Sequence, residues 1–355
     1  MTQAFMQTEF ANRAAALRAR HDTLQREQPN QRARQRAQTL GVSEAELVAA
    51  ACGDLRSTRL AGAPKDIFKA LGELGPVMAL TRNEWCVHEK HGEYLPYSEE
   101  GPVGLVLGKE IDLRVFFRGW THAYAVHEAG RDSIQFFDAA GTAVHKTYRT
   151  DATNGPAFDA LVARHAGDPI WPEVSPAAAP AAHAPLTDPA QRQALRDAWL
   201  ALRDTHEFHP MLRRLEVGRL AALEAAGDDL AQRVPDTVAQ TMLETVAQSG
   251  TPIMCFVAND GMVQIHTGPV KTLRRTGPWF NVLDADFNLH LNTEAIAQSW
   301  IVNKPTTDGW VTSLELYAAD GTLILQCFGA RKPGKPELPE WRALMTSLCA
   351  TPLAA

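Results

Sequence analysis

Paired thiols, an excess of basic charge and long apolar runs are all scarce in this sequence, and each scarcity removes a class of protein. The five cysteines, Cys52, Cys86, Cys255, Cys327 and Cys349, are odd in number and scattered, with no C-x-x-C pair. Neither a disulfide framework nor a thiolate zinc site is expected, which fits a reducing compartment. With 35 Lys and Arg against 41 Asp and Glu, the formal net charge is −6, a balance that disfavours a dedicated nucleic-acid binder. Any anionic ligand must then be met by a local cluster of cations. No run of about eighteen apolar residues occurs, and the N-terminal MTQAFMQTEFANRAAALRARHD lacks the short apolar core of a secretion signal. A cytoplasmic protein without membrane insertion is expected. The glycine-rich nucleotide motifs, the G-x-S-x-G elbow and the H-E-x-x-H zinc motif are also missing.

What is present is a duplication. Ser133 to Lys146 reads SIQFFDAAGTAVHK and Ser313 to Gln326 reads SLELYAADGTLILQ, at an offset of about 180 residues. Trp120 aligns with Trp300, PVM at Pro76 with PIM at Pro252, Asn83 with Asn259, and LGV…GDL at Leu40 with LEV…DDL at Leu215. Collinear matches at nearly constant spacing are those of two tandem repeats. Between them DPIWPEVSPAAAPAAHAPLTDPA is rich in proline and alanine and reads as an extended, stiff linker. The expected division is residues 1–168, linker 169–190, and residues 191–355.

Each repeat changes character partway. Asn12 to Leu71 and Gln191 to Val246 carry apolar residues at spacings of three and four, which predicts helices. The β-rich runs VMALTR, GLVLG, IDLRVFF, AYAVHE, SIQFFD, IMCFVA, VQIHTG, NVLDAD, FNLHLN, WVTSLELY and LILQCFG follow. Asp-Gly at Asp260 and Asp320 signals tight turns. The fold class expected is α+β, each repeat being helices followed by an antiparallel meander.

Helical spacing places Leu195, Trp199, Leu202, His206 and His209 on one stripe, with Pro210 ending or kinking the helix. A histidine on an apolar face is more often a satisfied core residue than a ligand; a helix end beside an opening would present an imidazole. In IDLRVFFR the alternation puts Arg114 and Phe116 on one face, either an ordinary solvated position or a cationic and aromatic floor for a planar anion. His88 and His91 fall on opposite faces of a strand and read as structural or surface residues. His21 sits at the repeat position of His206 in arginine-rich surroundings and is not expected to be a ligand.

Taken together, LGVSEAEL, TRNEWCVHE, IDLRVFF, DSIQFFDAAGTAVHK, HEF, IMCFVANDG and SWIVNKPTTDGWVTSLELYAADG resemble the bacterial hemin-degrading, or heme-utilisation, family of duplicated cytoplasmic proteins. The resemblance covers nearly the whole chain. It implies heme b (iron protoporphyrin IX) held in a cleft between the halves, with two large antiparallel sheets stacked centrally and helices flanking them. It implies that His206 in DTHEF is the axial ligand to iron. Arg114 in the Asp-Leu-Arg strand would be the distal, catalytic residue, with Phe116 beside it. Arg219, Lys304, Gln326, Phe328 and Arg331 would line the pocket, the three cations meeting the propionates. Phe328 stands where relatives carry a tyrosine, and His209 replaces an apolar or polar residue one turn past the ligand. The implied role is heme delivery, oxidative breakdown to release iron, or both, the latter needing an external electron donor and dioxygen or peroxide. The implied partners are a heme ABC importer or a heme oxygenase, with a monomer or weak dimer expected. Two other readings stay open at this point. RARQRAQTLGVSEAELVAAACG resembles the helix-turn-helix of a transcription regulator, and a flavin is another planar anion.

Overall fold

The computed structural model describes residues 3–176, 184–332 and 334–355. The chain divides into two compact units, each α+β. Unit 1 comprises Met1–Arg82, Glu89–Ala178 and Asn259–Gln264, and unit 2 comprises Asn83–His88, Ala179–Ala258 and Ile265–Ala355. The units do not follow the two half-chains residue for residue, because each includes one short segment from the other half.

Unit 1 opens with α1 (Gln3–Glu27), α2 (Ala33–Leu40) and α3 (Glu44–Ala49). Ser43 starts α3 as a capping box: its hydroxyl accepts from the Glu46 backbone N–H, and Glu46 accepts from that of Ser43 at 2.8 Å. There follow β1 (Arg56–Leu60), α4 (Pro64–Ala70), β2 (Val77–Arg82), β3 (Cys86–Gly92), β4 (Tyr97–Glu100), β5 (Val103–Leu107) and β6 (Asp112–Phe116). The unit continues with β7 (Trp120–Glu128), β8 (Arg131–Asp138), β9 (Ala143–Tyr148) and α5 (Gly155–His165). Strands β1, β7, β8, β9 and β2 lie side by side in that order, and β4, β5 and β6 form an antiparallel meander. Phe68 on α4 fills the core with edge-on contacts to Tyr94, Phe117, Trp120 and Phe136.

Unit 2 repeats the plan. Its elements are α6 (Pro189–Leu200), α7 (Phe208–Arg214), α8 (Arg219–Ala225), β10 (Ala231–Val234), α9 (Val238–Ser249), β11 (Ile253–Asn259) and β12 (Met262–Gly268). Then come β13 (Leu273–Thr276), β14 (Trp279–Leu283), β15 (Phe287–Asn292), β16 (Gln298–Thr306), β17 (Gly309–Tyr317), β18 (Leu323–Gly329) and α10 (Pro339–Leu348). Here β10, β16, β17, β18 and β11 lie side by side, and β13, β14 and β15 form the meander.

The duplication read from sequence is a duplication of geometry. After α2, Gly41 is left-handed (φ 65°) and Val42 N–H reaches back to Ala37 O. After α7, Glu216 is left-handed (φ 54°) and Val217 N–H reaches back to Leu212 O. Both are Schellman-type helix ends, at the matched LGV and LEV. The two meanders also share register: Leu105 faces Arg114 as Asn281 faces His290. Asn83 and Asn259 do matched work at the segments each unit takes from the other half-chain. Asn83 donates to Ala258 O and Ile324 O and accepts from the backbone of Trp85 and Cys86. Asn259 donates to Arg82 O and Val144 O and accepts from Gly261 N–H. Gly261 lies so close to Val144 and Trp120 that an added Cβ would fall 2.5 Å from the former.

Three expectations are corrected. Arg56–Leu60 and Ala231–Val234, within stretches read as helical, are strands, because pairing with β7 and β16 overrides weak local periodicity. Pro210 does not end a helix; it lies in the first turn of α7, where its missing N–H costs nothing. The described first part of the proline- and alanine-rich stretch is held in place: Ser175 N–H donates to Ala139 O, and Trp171 takes Arg13 over its ring at 4.5 Å. Residues 177–183 lie outside the described residues. Finally, α3, the second helix of the helix-turn-helix resemblance, buries Ala45, Leu47, Val48 and Ala49 against the unit's core, so that its apolar residues serve packing.

Candidate functional site

His206 is not on the apolar stripe. Helix α6 stops at Leu200, and Leu195, Trp199 and Leu202 are buried below it, whereas His206 rides on a single 3-10 turn, Thr205–Glu207, with its side chain 86% exposed. The five-residue register survives in number but not in space, because the chain leaves the helix at Ala201. The turn is nevertheless well fixed. Glu207 accepts from the backbone N–H of Arg203 and Asp204, Asp204 Oδ1 accepts from the His206 N–H at 2.8 Å, and Thr307 N–H donates to Arg203 O. The same Asp204 oxygen lies 2.6 Å from His206 Nδ1. With Nδ1 as donor, Nε2 is left bare and outward, the tautomer a metal ligand needs. The hydrogen bonds from His206, helped by the charge of Arg331, hold the Asp204 carboxyl below its ordinary pKa. His209 is exposed one turn on, its pKa lowered by burial and by Arg213 and Arg219.

Beneath this turn lies a buried ionic cluster. Phe208, the first residue of α7, packs edge-on against Trp199, and Lys304 Nζ and Arg219 Cζ sit 4.5 Å and 5.1 Å from its ring centre. Both cations are bound to Glu315, whose side chain is fully buried. Arg219 grips it with Nε and Nη2 at 2.8 and 2.6 Å, Lys304 Nζ is at 3.2 Å, Gln326 Nε2 at 2.7 Å, Ser313 Oγ at 3.0 Å and Tyr317 OH at 2.5 Å. Burial acts to raise the Glu315 pKa, but Arg219 and Lys304 outweigh it and hold the carboxyl well below its usual value. Burial lowers the Lys304 pKa to about 8 despite Glu315. Arg219 stays firmly protonated: burial opposes its charge, and Glu315 and Tyr317 more than restore it.

The cross-strand register explains the gathering. Trp300, Glu315, Gln326 and Phe256 are opposed in turn across β16, β17, β18 and β11, and Val302, Ser313, Phe328 and Met254 form the next row. Phe328 thus neighbours Gln326 on one face, where its ring meets Phe256 edge-on at 5.3 Å. Arg331 pairs with Asp308 at 3.2 Å in the loop whose Thr307 braces the His206 turn. Unit 2 therefore brings together all six residues expected of it. It also adds Asp204, Glu315 and Tyr317, and it gives Arg219 and Lys304 an internal partner that the reading of them as cations for an outside ligand did not include.

In unit 1, Arg114 and Phe116 do share a face of β6. Asp112, on the same face, accepts a charged hydrogen bond from Arg114. Leu107 opposite Asp112 is 50% exposed and Phe116 is 37% exposed, so the guanidinium stands in a largely apolar outer face. His88 is buried and His91 exposed, on opposite sides of β3 as expected, while His21 is buried beside Arg36. Among the described residues no group of three or more His, Cys, Asp or Glu could hold a metal ion, and no helix is long and apolar enough to cross a membrane.

The family description "Haemin-degrading HemS.ChuX domain" matches this chain twice, at residues 41–165 and 216–348. The chain belongs to this family. Its relatives in the HemS.ChuX family include the hemin transport protein HmuS of Yersinia pestis, 40% identical over 93% of this chain and 96% of that protein. Among solved structures, the heme-binding protein PhuS of Pseudomonas aeruginosa in its apo form is 46% identical, with a TM-score of 0.88 over 95% of this chain and all of that one (100%). ChuS, an E. coli heme oxygenase, is 36% identical with a TM-score of 0.81 over 92% and 99%. The duplicated α+β fold is thus the HemS.ChuX fold.

Of the residues that reading the sequence missed, Asp204 had a signal, since an acid two residues before a histidine can hold its Nδ1. Glu315 had none: on the alternating S-L-E-L-Y it reads as a solvent-facing position, and only the structure shows that both faces of β17 are buried.

Proposed function

We propose that this protein binds heme for heme uptake and iron acquisition, with His206 as the axial ligand to iron. The observation that carries the reading is the exposed imidazole whose Nδ1 is tied to Asp204. A single outward imidazole suits an iron that brings four equatorial donors of its own, and family membership supplies the chemistry that such a ligand serves. The PhuS and ChuS names, a heme-binding protein and a heme oxygenase, support heme as the bound group. Bound heme supplies the redox chemistry of ring opening. The chain's residues would hold it and choose what approaches it: His206 would anchor it, Asp204 on Nδ1 fixes the neutral tautomer whose Nε2 can face the iron, and Arg114, held by Asp112, would donate hydrogen bonds to a small ligand on the iron. Arg331 and the outer edge of Arg219 are the cations assigned to the propionates. Breakdown of heme, with electrons and dioxygen or peroxide supplied from outside, extends this reading, as does service to a heme importer or a separate oxygenase in the cytoplasm.

Hemin titration tests it. His206→Ala is expected to lower hemin affinity by at least about tenfold, about 1.4 kcal/mol, and to change the Soret spectrum, with a His206→Ala/His209→Ala double variant closing the route through the neighbouring imidazole. Wild-type affinity and spectrum in the double variant would remove His206 as ligand.

A further inference from the structure

The buried cluster of unit 2 holds two cations and one anion. Its surplus of one positive charge has a single outlet: Glu315 and Lys304 are 0% and 3% exposed in their side chains, while Arg219 is 26% exposed. The Nε and Nη2 of Arg219 are spent on Glu315 and Tyr317, and among the described residues Nη1 has no hydrogen-bond partner. Burying an uncompensated charge is costly, so the surplus is turned to the exposed edge of Arg219, where an anion can be received. A guanidinium takes a carboxylate well only when its plane is correctly set.

We propose that Glu315 and Tyr317 are positioning residues which never touch the ligand: they lock the guanidinium of Arg219 so that its free edge seats one ligand carboxylate, with Lys304 balancing Glu315 from within. This rests on the reading of the protein as a heme binder and names what recognises one of the two acids that heme carries. Glu315 is therefore not a rival for the cations. Removing it leaves two cations against each other, Lys304 sheds its proton, and Arg219 loses the carboxylate that aims it. Simple electrostatics predicts the reverse, a stronger pull on an incoming acid.

The measurement is the ratio of affinities for hemin and hemin dimethyl ester, which isolates the acids from the iron. Wild type is expected to prefer the free acid. Glu315→Gln, checked for native circular dichroism, is expected to reduce that preference about tenfold even though a negative charge has been removed. Tyr317→Phe leaves every charge in place, removes only the hydroxyl that bridges Arg219 Nε and Glu315, and suits the case in which Glu315→Gln does not fold. It is expected to reduce the preference about threefold. In both variants binding of the ester should stay at the wild-type level. An unchanged or increased preference for the free acid in Tyr317→Phe, or in folded Glu315→Gln, overturns the proposal. A wild type that binds hemin and the ester equally also overturns it while leaving axial ligation by His206 intact, and a wild type that binds neither removes the heme reading itself.

Discussion

Strand β8 of unit 1 and strand β17 of unit 2 descend from one pattern and have come to opposite electrostatic ends. Ser133, Gln135 and Phe137 stand where unit 2 has Ser313, Glu315 and Tyr317, and Gln135 faces Lys146 across the sheet as Glu315 faces Gln326. Gln135 is buried and neutral and donates to Ser133 at 3.0 Å. Glu315 is buried and ionised and collects two cations. One position thus separates a polar but uncharged core from a charged one on the same scaffold. The difference shows that a repeat can keep its register while only one copy takes on a buried charge cluster.

The largest effect is expected from erasing that difference. Glu315→Ala strands two buried cations and should destabilise the protein by about 3–5 kcal/mol, whereas Gln135→Ala should cost about 1 kcal/mol. Urea unfolding of the two variants measures both, and equal losses would mean that the cluster is not the anchor of unit 2. Next comes the pair of meanders. Arg114 and His290 occupy the same register position in β6 and β15, yet only Arg114 is assigned to the heme. Arg114→Ala should keep hemin bound with a modest loss of affinity, change the sixth-ligand spectrum, and slow hemin decay in ascorbate or peroxide by about a hundredfold. His290→Ala should do none of this. Matching decay rates for wild type and Arg114→Ala at equal heme loading, with catalase present, would make Arg114 a bystander.

Acid sharpens the contrast between the two strands. Glu315 has a folded pKa below its ordinary 4.5, so below pH 4.5 the unfolded chain binds the proton that the folded chain refuses. Its stabilisation is complete above that pH and is lost as pH falls through the folded value. Gln135 contributes no such dependence. Acid unfolding of wild type should therefore be steeper than that of Glu315→Gln, and parallel curves would count against a buried ionised carboxylate. The smallest effect belongs to the two helix ends. Glu216 pays for a left-handed backbone that Gly41 adopts freely, so Glu216→Gly should stabilise by about 0.5–1 kcal/mol and Gly41→Ala should destabilise by a similar amount. Thermal melts would show it, and a destabilised Glu216→Gly would point to a contact made by the Glu216 side chain.

The same residues show how far the sequence could be read. Gly41 and Glu216 were visible as LGV and LEV because a helix end is a local device, written in adjacent residues. The β-rich runs were visible because alternation and β-branching are local too. Strands β1 and β10 were not, since RSTRL and AQRV become strands only by pairing with β7 and β16, far along the chain. His206 was found by its motif but placed on the wrong surface: a period continued past Ala201 cannot reveal that the helix has stopped. Arg219 and Lys304 share Glu315, and Arg331 pairs with Asp308 instead; the shared partner was invisible, because nothing in S-L-E-L-Y tells that its polar face is packed against another layer of side chains.

The exchange of short segments bears on how such a chain can be divided. Residues 83–88 are encoded in the first half yet complete unit 2, and residues 259–264 are encoded in the second half yet complete unit 1. A gene cut at the proline- and alanine-rich linker would therefore yield two polypeptides that each lack a piece of their own unit and carry a piece of the other's. Neither fragment is a self-sufficient product to purify, and the two are expected to fold well only when made together. The linker marks where the copies were joined; it does not mark where they can be parted.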